Sequence, residues 1–146
     1  MRMKPIAMIL GLTASAALAH SGVKNPAVQA RMNAMMDIAG ATKVLGDMAK
    51  GVRAFDVTAA QAAAAQIAEQ ATQMPTLFAV PENDPKSEAA AAIWQDFPDF
   101  SDKAKALQDA AQAAMQIDTP TALQASMAQI GGTCTACHQA YRITGK

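Results

Sequence analysis

A side chain able to cap a helix stands directly before proline at Asn25-Pro26 and again in Asp118-Thr119-Pro120. Each is a helix start. The capping oxygen accepts from the first free backbone amides, and proline is preformed for the first helical position, where its missing N–H goes unneeded. Alanine dominates the chain, β-branched residues are sparse, and Phe, Trp and Tyr make up only 4% of it. Intrinsic propensity then favours helix over strand, and the fold class predicted is all-α.

From the first start, Val28, Arg31, Met35, Ile38, Thr42 and Leu45 recur at alternating spacings of three and four, which is the stripe of an amphipathic helix that Gly51 closes. Asp56 is placed to cap a second helix running to about Gln73, with Met74-Pro75 as its stop. Residues 75–86 hold three prolines together with Asn83 and Asp84, and read as a loop anchored by Leu77 and Phe78. Ser87 is a cap for a short helix through Ile93 and Trp94, and Pro98 forces a break or a new start. A third long helix then runs to Gln116 and a fourth from Pro120 to about Ile143. Four helices with mostly short connections predict an antiparallel up-and-down four-helix bundle.

Residues 1–19 read as an address. Arg2 and Lys4 precede an apolar run from Pro5 to Leu18, and Ala17-Leu18-Ala19 is a small-x-small cleavage site, so the mature chain is expected to begin at His20. The apolar run is shorter than the roughly 20 residues of a bilayer span. Residues 20–146, 127 of the 146, suit a single domain with one core. Loss of the leader leaves ten Lys and Arg against twelve Asp and Glu, a balance that gives no reason to expect nucleic acid. No later stretch is long and apolar enough to insert in a membrane.

The most informative motif is Cys134-Thr135-Ala136-Cys137-His138. On a helix, cysteines three apart share a face, so both thiols can add to the two vinyl groups on one edge of a porphyrin, and the next residue can bring an imidazole to its iron. Three other chemistries compete. A disulfide would close only a tiny loop, a thiol exchange site calls for a βαβ context, and a zinc site lacks further ligands because the only other histidine is His20. Export and an all-helical context favour covalent haem. Gly131 and Gly132 just before the motif either let the ring lie against the backbone or mark a kink or helix start at Thr133. The chain's single Trp94 and Tyr141 are expected to bury their rings with the polar end bonded, while Asp99, Asp102, Lys103, Lys105 and Asp109 read as a solvated face.

This motif close to the C-terminus is followed by Gln139-Ala140-Tyr141-Arg142, and it is preceded by an N-terminal helix with Arg31 and Met35 one turn apart. In these features the chain resembles the class II cytochromes c, which comprise cytochrome c′ and its low-spin relatives. The segments Val44 to Gly51, Met74 to Phe78 and Ile93-Trp94 extend the likeness over nearly all of residues 20–146. The resemblance implies a four-helix bundle carrying one haem c bonded to Cys134 and Cys137, with His138 as axial iron ligand. It also implies Arg31 toward the haem propionates, with an exposed surface arginine as the alternative, and Arg142 near the proximal face, where a cation offsetting the helix dipole is the alternative. Met35 falls where the first helix reaches the distal side of the iron: it either bonds the iron or packs over a five-coordinate one. The function implied is periplasmic one-electron transfer with unknown redox partners, rather than an enzyme activity. The alternative is a cytochrome c′-like high-spin protein that binds NO or CO. A homodimer through the first two helices and a monomer fit equally.

Overall fold

In the computed structural model, which describes residues 22–143, every long helix starts on an oxygen that takes up free amides. Asn25 Oδ1 accepts from Ala27 and Val28 at 2.9 and 3.2 Å to open α1, Pro26–Ala49. Asp56 accepts from Ala59 at 3.0 Å to open α2, Val57–Leu77. A single turn, α3, Ala92–Gln95, precedes α4, Phe97–Ala114, which Asp96 caps through Asp99 N–H at 3.2 Å. Thr119 Oγ1 caps α5, Pro120–Tyr141, through Ala122 N–H at 3.2 Å. Proline sits in the first turn of α1, α4 and α5. At the far end of α1, Gly51 takes a φ of +70°, the left-handed geometry that lets the chain leave the helix without a Cβ clash. The expected leader, its cleavage site and His20 lie outside the described residues.

α2 packs between α1 and α4, α4 packs on α5, and α5 returns to α1, so the four long helices close a ring. Alanine builds the tight seams. Ala60, Ala64, Ala68 and Ala71 of α2 and Ala104, Ala111 and Ala114 of α4 are buried, and such small side chains allow close helix approach. Leu45, Ile67, Ile93, Ile117, Leu123 and Ile130 fill the centre. Of the four seams, α1 against α5 packs least. Among the described residues no helix is long and apolar enough to cross a membrane.

Three expectations are corrected. α2 continues through Pro75 to Leu77, with Phe78 N–H donating to Met74 O at 3.0 Å. Proline in a last turn forfeits one hydrogen bond, and burial of Met74 and Phe78 on either side outweighs that loss. Ser87 does not cap a helix: its Oγ accepts from Ala89 N–H at 3.3 Å in a local turn, and α3 begins after Ala91 with no side-chain cap. α4 ends at Ala114, two residues before Gln116.

The connection from α2 to α3 is held by a buried carboxylate. Asp84 accepts from Lys24 and Asn25 N–H at 2.9 and 3.1 Å and from Lys86 N–H at 2.9 Å, tying the start of α1 to this segment. Those amide bonds, Lys86 first and Lys24 next, hold its carboxyl below the usual carboxylate range. A group depressed in the folded state contributes stability above its unfolded pKa and loses it as pH falls through the folded one. Asp84→Ala should therefore lower the melting temperature at neutral pH, and thermal melts should show the gap to wild type closing below about pH 4.

Candidate functional site

The loose seam opens as a cleft of about 770 Å³ between α1 and α5, within the roughly 300–1,000 Å³ typical of cofactor sites. Cys134 and Cys137 line it from α5, three residues apart on one face, half-buried and packed on the core. Burial raises both thiols above the ordinary cysteine range, and Lys103 partly opposes this at Cys137. His138 lines the same cleft but stands at its exposed mouth. Desolvation first, then the Arg142 cation, lower its pKa against the pull of Glu88. That direction favours neutral imidazole, the form that can bind iron.

The facing wall belongs to α1. Met35 lines the cleft half-buried, with Met32, Met36 and, from α5, Met127 around it, so thioethers supply much of the apolar lining. Thr42 also lines it, and its buried hydroxyl has no partner among the described residues. Paired thiols, an imidazole, an apolar opposite wall and an unpaired hydroxyl suit a flat, largely apolar macrocycle with polar edges. Among the described residues no group of three His, Cys, Asp or Glu side chains is placed to hold a metal ion directly.

Arg31 is not the exposed cation that a surface arginine would be; it is 3% exposed. Nε donates to Leu77 O at 2.9 Å, Nη1 to Glu82 O at 2.8 Å and Nη2 to Val80 O at 2.5 Å. Its guanidinium lies 4.8 Å from the Phe78 ring centre and 5.4 Å from that of Trp94, a pair of cation–π contacts. Desolvation lowers its pKa, and the Glu82 charge acts the other way. Three of its five N–H groups are thus spent on the last residue of α2 and the loop that follows it. Phe78, held in this way, lines the cleft.

The rings find polar partners as their chemistry demands. Trp94 Nε1 donates to Phe78 O at 2.8 Å, and Tyr141 donates to Asp99 Oδ2 at 2.5 Å while its ring meets Phe100 edge-on at 5.5 Å. The Asp99 bond pushes the Tyr141 phenol up to about 12. Asp99 is therefore a structural partner, also bonded to Lys103 at 3.1 Å, rather than part of a solvated face. Lys105 and Asp109 do form such a face, as an exposed pair at 2.7 Å.

Arg142 lies past the end of α5 in extended backbone and grips Glu88 Oε2 through Nε at 2.8 Å and Nη2 at 2.7 Å. Backbone bonds from Ala90 N–H to Tyr141 O and from Ile143 N–H to Glu88 O, 2.9 and 2.8 Å, set this geometry. Glu88 escaped the sequence reading because a single acid in a loop carries no periodic signal. Gly131 and Gly132 lie inside a continuous α5, so no helix begins at Thr133; a Cβ at either would meet open space, and neither lines the cleft.

The family model for cytochrome c′ matches residues 26–142, from the first helix to the residue beyond the last. The chain belongs to the cytochrome c′ family. A cytochrome c-556 of Agrobacterium tumefaciens is 39% identical over 78% of this chain and 92% of its own length. The structure of cytochrome c′ from Rhodopseudomonas palustris superposes with a TM-score of 0.78 at 29% identity, covering 84% of this chain and all of that one. Oxidised R. palustris cytochrome c556 gives 0.75 at 28% over the same 84%, again with its whole chain covered. Membership places one covalently attached haem c in the protein. Because Arg31 serves three carbonyls, Arg31→Lys should leave acceptors unpaired and lower stability by about 1–3 kcal/mol in denaturant titrations of the holoprotein.

Proposed function

We propose that this chain is a periplasmic monohaem cytochrome that carries single electrons, its haem bonded to Cys134 and Cys137 and its iron bound by His138 and Met35. The observation that carries the reading is that Met35 on α1 and His138 on α5 line one cleft from its two walls, with both thiols beside them. Haem, when bound, supplies the one-electron iron couple, and a His/Met ligand pair raises its potential.

The chain's own residues do the rest. Cys134 and Cys137 are the only cysteines and so the only candidates for the two thioether links. His138, favoured neutral, offers a ring nitrogen to the iron without first losing a proton. Arg31 keeps two N–H groups beyond its loop carbonyls, and these suit a propionate. Arg142, four residues after His138 and with its charge partly answered by Glu88, would lie near the proximal side of a bound haem. The apolar lining from α1 would exclude water from the haem face opposite His138. No side chain is asked to make or break a substrate bond. Residues 1–19 would act as the export leader that delivers the chain to the compartment where haem is attached.

Ferric and ferrous optical spectra of the purified holoprotein test the reading. Low-spin iron with a sulfur-to-iron band is expected, and Met35→Ala should turn it high-spin while the haem stays covalently attached. A spectrum unchanged by that substitution would remove Met35 from the ligand set. High-spin ferrous iron that takes up CO readily would give the site to the second reading, a gas-binding haem protein. The other methionines of the cleft favour that reading, since a thioether there can pack over iron without bonding it.

A further inference from the structure

The end of α5 brings a pair of opposite charges beside the His138 imidazole. Arg142 donates to a single oxygen of Glu88, Oε2, through Nε at 2.8 Å and Nη2 at 2.7 Å. Both residues line the cleft with His138. Their charges bear on that imidazole with opposite sign, Arg142 more strongly than Glu88.

With side chains 51% and 45% exposed, such a pair ordinarily adds little to stability and is free to open. Here the backbone removes that freedom. Ala89 and Arg142 form an antiparallel bridge, flanked by the bond from Ala90 N–H to Tyr141 O at 2.9 Å and that from Ile143 N–H to Glu88 O at 2.8 Å. A further bond, Ser87 N–H to Asp84 O at 2.9 Å, joins this clamp to the turn that Asp84 anchors. Glu88 is therefore brought to Arg142 by main-chain bonds rather than by the attraction of the pair. A carboxylate fixed in this way cancels much of a cation that would otherwise stand alone next to the imidazole. Ferric iron carries one more positive charge than ferrous, so a lone cation raises the potential of the couple and a carboxylate lowers it.

We infer that Glu88 is a positioning residue that sets the reduction potential of the iron, by holding Arg142 in a neutral pair beside His138. This deepens the electron-carrier reading and rests on its placing of the iron at His138. The pair acts through space: one electron enters or leaves the iron, and neither Glu88 nor Arg142 gains or loses a bond or a proton.

A charge cycle read by potentiometric titration of the holoprotein tests this, at neutral pH and an ionic strength of about 0.01 M, where screening is weak. Glu88→Gln should raise the potential and Arg142→Gln should lower it. The double variant should fall between the two, close to wild type, and Glu88→Asp, which keeps the charge, should also stay close to wild type. A potential that Glu88→Gln leaves unchanged or lowers would overturn the proposal. So would single variants that shift it in the same direction, since loosening of the α5 end has no reason to change sign with the charge removed. A Glu88→Asp shift equal to that of Glu88→Gln would make shape rather than charge the cause and overturn it as well. The optical spectrum reads the iron's ligands separately. High-spin ferrous iron defeats the carrier reading, whereas unmoved potentials with a low-spin spectrum defeat only the role of Glu88.

Discussion

Two thiols on one helix face can serve a single flat ligand only if the helix opposite stands back from them. Here that constraint is met by contrast between seams. Alanine draws α2 against α4 and α1 against α2, while Met32, Met35 and Met127 occupy the α1–α5 side, where the seam opens into the cleft. The bundle is thus closed on three sides and wedged open on the fourth. Cofactor space comes from the placing of small and long side chains within one architecture, with no extra domain required.

An open seam needs support at its edges, and the segment after α2 supplies it. Arg31 holds the last residue of α2 and the segment after it from within α1 by three carbonyls and two aromatic faces, and Asp84 holds that segment again through the amides before α1 and at Lys86. The same segment leads to Glu88 and the backbone bonds that fasten the end of α5. A chain of polar contacts therefore joins the start of α1, the wall of the cleft and the residue four places beyond His138. The position of the imidazole is linked through it to groups distant in sequence.

Much of the helical frame was legible because its signals are local. Asn25, Asp56 and Thr119 cap by their own side chains, and Gly51 supplies the positive φ that ends α1. The spacing of Cys134, Cys137 and His138 by itself declares a common helix face. What sequence missed was set by tertiary contact. Pro75 reads as a stop by itself, and only the burial of its neighbours carries α2 past it. Arg31 reads as a gripper of propionate or a surface cation, since nothing in a stripe of residues reveals that three carbonyls 46 to 51 positions away will meet it. Glu88 and the tie between Asp99 and Tyr141 were invisible for the same reason.

The family's covalent haem needs an anchor, and we propose that Cys134 and Cys137 on α5 supply it. Tandem mass spectrometry of protein matured with a working haem-attachment system measures that claim most directly. The account predicts one haem per chain, with both Cys134 and Cys137 modified on the same peptide; a bare polypeptide with two free thiols would contradict it.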